Sequence, residues 1–299
     1  MQPAKTDHIS VSICTYKRPT LLSRLLQELQ NQVTNGLFTY SITVVDNDVA
    51  ESARETTMSF EAQSSIDVRY CVEPSKGIPL ARNKAIANIK GNYVAFIDDD
   101  ETPERNWLSR LYQACIRYDA DGVLGPVKPR FENTPPNWII KAKLFERPSY
   151  RTGKVLEWCN TRTGNVLLRK DIFDETGYLF DEHFRHSEDQ DLFRRMTQAG
   201  YIFIWCDEAV VYETQTPDRF TRCYFLKRAL LRGNVSLRLQ SKKLWPITKS
   251  AIAFLIYTSS LPFLFLMGRH IFAKYLIKDF DHVGRLMAAL RFDVQRYLT

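Results

Sequence analysis

The chain has 299 residues, 44% hydrophobic and 25% charged, with 12 glycines and 13 prolines; this excludes a fibrous or disordered polypeptide and leaves room for one large domain or two small ones. Its net charge of +7 is unevenly spread: from Pro217 onward 15 Lys and Arg stand against 4 Asp and Glu, so the rest of the chain is net acidic. Six scattered cysteines without a C-x-x-C pair speak against structural zinc or a disulfide framework and for a reducing compartment, and the opening "MQPAKTDHISVSIC" lacks the apolar core of a signal peptide.

From the N-terminus, "HISVSICTY" alternates Ile9, Val11 and Ile13 with serines and predicts a strand. Pro19 opens a helix with Leu21, Leu22, Leu25, Leu26 and Leu29 on one face. "YSITVVDND" predicts a second strand ending in acids, and residues 50–63 a polar helix. "DVRYCVE" predicts a third strand, followed by a helix from about Pro79 to Lys90. "YVAFI" predicts a fourth strand, and "PERNWLSRLYQACIRY" a helix with Trp107, Leu108, Leu111 and Cys115 on one face. Strands alternating with helices over residues 9–118 imply parallel β-α-β units in a layered α/β domain. Ligands of such sheets bind beyond the carboxyl ends of the strands. Here those ends carry "TYKR", "DND", "EPSKG" and "DDDE", which should all fall along one edge.

The last cluster places Asp98, Asp99, Asp100 and Glu101 in succession. Like charges that close repel by about 1–4 kcal/mol per pair, so a divalent cation is expected to compensate. In an extended segment residues i and i+2 point the same way, which sends Asp98 and Asp100 to one site and Asp99 elsewhere. Hard oxygens of this kind suit Mg²⁺ or Mn²⁺. The plain alternative is that these acids cap a helix starting near Pro103.

"HSEDQDLFRRMTQAG" (186–200) predicts a helix with Ser187 and Gln190 as a capping box and Gly200 as its stop. On the helical wheel Leu192, Phe193, Met196 and Ala199 form an inward stripe. Asp189 lies nearest its centre, Glu188 at its margin, and Asp191 opposite, where it can pair with Arg195; all three are also ordinary first-turn acids. Gly77 and Gly91 read as turn residues. Trp138 and Trp158 read either as core or as sugar-stacking rings, and His183 and His186 flank the helix start.

Between Lys249 and Arg269 lie 19 uncharged residues, "SAIAFLIYTSSLPFLFLMG". A helix of that length spans about 28 Å, close to a bilayer core. Pro262 and the preceding Thr-Ser-Ser weaken a straight spanning helix, so a re-entrant or interfacial pair is an equal reading and a core helix the plain alternative. Lys227, Arg228, Arg232, Arg238, Lys242, Lys243, Lys274 and Lys278 surround this block and suit an anionic membrane face. The expected organisation is a catalytic domain over residues 1–216 and a helical, membrane-associating region over 217–299.

Four motifs in order, "SICTYKRP", "VVDND", "KGIPLARN" and "FIDDD", resemble glycosyltransferase family two, the inverting nucleotide-sugar transferases of the GT-A type, over about residues 9–216. The resemblance implies an α/β fold with a Rossmann-like, mostly parallel sheet flanked by helices. It implies a nucleotide-sugar site made of Thr15, Tyr16 and Arg18, of Asp46, Asn47 and Asp48, of Lys76, Arg82 and Asn83, and of Asp98 and Asp99. Asp100 would hold the Mn²⁺ or Mg²⁺ ion that bridges the diphosphate. Asp189 matches the family's general base, with Glu188 beside it, and Thr163, Gly164 and Asn165 match its acceptor side. The Q-x-x-R-W pentad of processive synthases is missing, which favours transfer of one sugar.

The resemblance thus implies a cytosol-facing enzyme on the bacterial inner membrane. It would move a hexose, glucose as the first expectation, from a UDP-sugar to a polyprenyl-diphosphate-linked oligosaccharide in exopolysaccharide assembly. Two rivals are a nucleotidyltransferase with a strand-end metal site and a basic nucleic-acid-binding protein. "CTYKRPT" lacks the glycines of the first, and the uncharged block fits lipid better than nucleic acid.

Overall fold

The computed structural model describes residues 6–184, 187–240 and 244–294; His186, Lys242 and Lys243, named above, lie outside the described residues. In chain order the elements are β1 (Asp7–Thr15), α1 (Pro19–Gln30), β2 (Phe38–Asp46), α2 (Arg54–Glu61), β3 (Val68–Val72), α3 (Ile78–Ile86), β4 (Tyr93–Phe96), β5 (Glu101–Pro103) and α4 (Trp107–Tyr118). They continue with β6 (Gly122–Leu124), β7 (Val127–Phe131), α5 (Asn137–Ala142), β8 (Val166–Arg169), α6 (Asp171–Thr176), α7 (Glu188–Gln198), β9 (Phe203–Trp205) and β10 (Val211–Gln215). Three helices follow: α8 (Arg222–Arg238), α9 (Leu244–Leu266) and α10 (Arg269–Ala289).

Seven strands form one sheet in the order β3-β2-β1-β4-β8-β6-β9. The first four are parallel, as the strand–helix alternation requires, whereas β8 runs antiparallel to both β4 and β6. Both faces are covered. Ile9, Val11, Ile13, Ala95 and Ile97 pack with Leu22, Leu25, Leu26 and Leu29 of α1 and with Trp107, Leu108 and Leu111 of α4. On the other face Val94, Phe96, Val166 and Leu168 pack with Ala81 and Ala85 of α3 and with Leu192, Phe193 and Met196 of α7. β4 shows why: alternate residues of one strand feed opposite cores.

The parallel register aligns the strand ends. Thr15 lies opposite Asp46, and Asp46 opposite Val72. The chain runs β1, β2, β3 in one direction and then crosses back to lay β4 on the other side of β1. That reversal opens a crevice beyond the carboxyl ends of β1 and β4, where open α/β sheets bind ligands. The four polar clusters converge on one edge as expected. A second sheet has the order β5-β10-β7, with β5 and β10 antiparallel. Glu101 to Pro103 therefore form a strand, and α4 starts only at Trp107, so the acids do not cap a helix at Pro103.

The chain divides into two compact units: Met1–Pro129 with Arg147–Thr214, and Arg130–Glu146 with Gln215–Thr299. In the second, α10 packs against α5, α8 and α9, and Trp138 packs edge-on against Phe225, 5.9 Å between ring centres. The uncharged block is one continuous helix, α9, with Pro262 in its penultimate turn. Of the described helices it alone is long and apolar enough to cross a membrane.

Candidate active site

The end of β1 supplies Thr15 to Arg18, and the turn after β4 supplies Asp98 to Asp100. Asp98 O accepts the Glu101 N–H at 3.0 Å, closing a tight turn. The strand has therefore ended at Phe96, and its two-residue alternation does not extend to the acids. Asp99 accordingly does not point away. It accepts Thr15 Oγ1 at 2.8 Å and Arg18 Nη1 at 2.9 Å, and the same Arg18 nitrogen lies 3.4 Å from Asp100 Oδ2. Arg18 thus ties Asp99 and Asp100 together, while Asp98 faces a second cation, Arg82, at 3.3 Å.

Burial pushes the Asp99 carboxyl up to about 6, against the pull of Arg18 and Thr15. A folded-state value above the unfolded 3.8 means that the native state holds this proton more tightly. The resulting stability is present below about pH 4 and is lost as pH rises through 6. The advantage of Asp99→Asn over wild type should grow from near zero below about pH 4 to on the order of 2–3 kcal/mol above about pH 6, measured by urea unfolding at a series of pH values. A gap that does not vary with pH would refute this.

Arg82, on α3, also pairs with Glu188 at the first turn of α7, joining residues 106 positions apart. Burial pushes Glu188 above the ordinary glutamate range, with Arg82 opposing. Asp189, the next residue, is half-buried, and its Oδ1 accepts only the neighbouring Gln190 N–H at 2.8 Å among the bonds found. Its charge acts on both Arg82 and Arg162, so it lies near the same group of charged residues. Two expectations for α7 fail. Ser187 caps nothing with its side chain and sits at φ 61°. Asp191 is not a surface residue: it is 3% exposed and bound by Arg194 at 2.7 Å and Arg195 at 2.8 Å. Residues i and i+3 share a helix face, so Asp191 follows Glu188 inward.

The four asparagine and aspartate positions at 46, 47, 83 and 165 turn out to be scaffolding. Asp46 is fully buried and accepts Asp48 N–H, Ala53 N–H and Tyr70 OH. Asn47 donates to Glu73 O and Ser75 O and accepts Gly77 N–H, which shapes the loop before α3. Asn83 mimics a backbone partner for Phe180, accepting its N–H at 2.8 Å and donating to its carbonyl at 3.0 Å. Asn165 is fully buried at φ 63°; it accepts Trp107 Nε1–H and donates to Pro126 O and Ala209 O. Interior backbone groups must be paired, and these side chains help to meet that demand. Asn165→Ala should destabilise the fold by about 3 kcal/mol through the stranded polar groups; thermal unfolding checks this, and a loss below about 1 kcal/mol would contradict it.

Around the cleft Tyr16 is 38% exposed, with the Lys17 and Lys76 ammoniums each 5.2 Å from its ring centre, Arg18 is exposed, Asp98 and Asp189 are half-buried, and Asp100 is buried beside Arg18. Asp48 and Thr163 are buried, 4% and 1% exposed, and Thr163 Oγ1 has no hydrogen-bond partner. Gly164 is a cradle: a Cβ there would stand 2.8 Å from Glu101 Oε1 and 3.0 Å from Asp98 Oδ2. Trp158 is half-buried against the α7-side core, and the exposed His183 is held by Asp181 at 2.8 Å.

Among the described residues no three His, Cys, Asp or Glu side chains are grouped as a metal cage. Mg²⁺ and Mn²⁺ at phosphates do not need one; one or two carboxylates suffice beside the substrate's oxygens. The half-exposed Asp98 and the hard oxygens of Asp100 fit that demand.

The sequence reading passed over three charged residues near this cleft, Arg147, Arg162 and Glu213, and gave Glu101 no role beyond its place in the acid cluster. Arg147 pairs with Glu213 of β10. Glu101 is buried and pushed well above the usual range by that burial and by Asp98. Burial and Arg147 lower Arg162 to about 10, with Glu101 and Asp189 opposing. No local pattern marks them, because the partners lie far apart in sequence.

Residues 10–177 match the family model described as "Glycosyl transferase family 2". The chain is 32% identical over 247 residues to the succinoglycan biosynthesis protein ExoM of Rhizobium meliloti, covering 81% of this chain and 78% of that one. TarS of S. aureus (residues 1–349, solved with UDP) shares the fold at a TM-score of 0.55 and 15% identity over 95% of this chain and 92% of that one. The mannosyltransferase PcManGT of Pyrobaculum calidifontis, solved with GDP-Man and Mn²⁺, does so at 0.59 and 14%, covering 97% and 77%.

Proposed function

Because the chain belongs to glycosyltransferase family 2, we propose that it moves one hexose, glucose in the first instance, from a UDP-sugar to a polyprenyl-diphosphate-linked oligosaccharide, with inversion, in the assembly of a bacterial exopolysaccharide. The observation that carries this is Arg82. One guanidinium binds Asp98 on the donor side and Glu188 on the helix that presents Asp189, so donor-side and acceptor-side acids belong to one cleft. The similarity to a succinoglycan biosynthesis protein supports the product class, and the nucleotide ligands of the fold's neighbours support the donor class.

In the proposed reaction Tyr16 offers its exposed face to the base, and Arg18 and Lys76 bring positive charge to the diphosphate. The acceptor oxygen forms its bond to the anomeric carbon as the bond to the diphosphate oxygen breaks, and Asp189 takes the hydroxyl proton. A Mn²⁺ or Mg²⁺ ion held by Asp100, with Asp98 at its side, would supply Lewis-acid stabilisation of the leaving diphosphate.

The second unit supports a membrane-bound acceptor. α9 buries a serine, Ser250, and exposes Leu255, Phe263 and Leu266 by 67%, 71% and 84%. Its partner helix α10 meets it with Asp279, which accepts Thr258 Oγ1 at 3.0 Å. A helix polar inward and apolar outward is reversed for water and suited to lipid. We place the enzyme on the cytoplasmic face of the inner membrane.

A panel of nucleotide sugars with Mn²⁺ or Mg²⁺, scored for slow hydrolysis without acceptor, tests the donor. UDP-hexoses should be cleaved and lose that cleavage with EDTA; cleavage restricted to another nucleotide would overturn the UDP assignment.

A further inference from the structure

A cavity of about 310 Å³ lies in the second unit between the end of α5, the end of α9 and the first turns of α10. Lys141, Lys274 and His270 bring nitrogen to its lining, and Leu264, Met267 and Tyr275 form apolar wall. Among the described residues no acidic side chain lines it, so its two lysines have no protein anion beside them in the lining. Such a combination of cations and hydrocarbon matches a molecule with an anionic head and an apolar chain. The volume sits at the low end for ligand pockets, enough for a head group but not for a whole lipid. Next to it Phe263, Leu266 and Met267 are exposed by 71%, 84% and 65%, which continues the apolar wall along α9.

We propose that this cavity seats the diphosphate of the lipid-linked acceptor, with the first isoprenoid units against Leu264, Met267 and Tyr275 and the remaining chain along the outer face of α9. The assignment rests on the reading of the acceptor as polyprenyl-diphosphate-linked. Charge selects this occupant over bulk phospholipid: a doubly substituted diphosphate carries two negative charges, matching two lysines, whereas a phosphodiester head group carries one.

Flotation of the full chain tests it, with phosphatidylcholine vesicles that carry either a polyprenyl-diphosphate-linked sugar or phosphatidylglycerol at matched surface charge. Wild type should prefer the diphosphate vesicles. The double variant Lys141→Gln/Lys274→Gln should lose about 30-fold in affinity for them. Lys227→Gln/Lys278→Gln, the same loss of two charges from exposed lysines outside the cavity, should lose only a few-fold. Equal binding of wild type to both anionic vesicles, or equal losses from the two double variants, would overturn the cavity assignment and leave general attraction to anionic lipid. Failure of wild type to float with any vesicle would instead remove the membrane reading itself.

Discussion

Asp189→Asn should lower kcat by about 10²- to 10⁴-fold while leaving KM for the UDP-sugar near the wild-type value. An acceptor hydroxyl is a poor nucleophile until its proton is drawn off in the transition state, and asparagine keeps the size of the carboxylate without its basicity. The neighbouring acid cannot take over easily: Glu188 is 5% exposed and engaged with Arg82. Glu188→Gln should show a different signature, a loss of stability of about 1–3 kcal/mol as the buried guanidinium keeps only Asp98, read by urea unfolding. Retention of more than about a tenth of turnover by Asp189→Asn would move the base to Glu188.

The second large effect is expected at the β4 turn. Asp100→Asn should abolish metal-stimulated UDP binding and reduce turnover by at least about 10²-fold, with the fold intact. Strict alternation along a strand would make Asp99→Asn nearly silent, but the turn gives Asp99 a share in Arg18. Asp99→Asn should therefore raise KM for the donor through a loosened Arg18 and Thr15, while metal stimulation persists. Titration of UDP with and without Mn²⁺ separates the two, and loss of metal stimulation in both variants would refute the distinction.

Much of the fold was legible because its signals are local. The leucines of α1 and the alternating residues of β1 announce themselves within a few positions, and the acids at the strand ends converge because parallel strands share a direction. The antiparallel β8 was not foreseen, since a four-residue strand, Val166–Arg169, says nothing of its orientation. At the site, residue types are legible in the sequence, but the hydrogen bonds they make are not. Asn83 and Asn165 are polar beside a ligand cleft, yet what they satisfy are backbone groups of Phe180, Pro126 and Ala209, brought near only by the finished fold. Burial of Asp191 was hidden for the same reason: a helical wheel shows which side a residue takes, but not where the neighbouring layer ends.

The Arg82 bridge has a consequence for how such a protein can change. A single neutral replacement at position 82 strands Glu188 in the interior as an uncompensated buried charge, and one at 188 leaves the guanidinium with Asp98 alone. Drift at these positions is therefore locked together across 106 residues of chain, and a viable path runs through simultaneous exchange. Grafting the donor half of one relative onto the acceptor half of another would break that pairing unless positions 82, 98 and 188 travelled as a set.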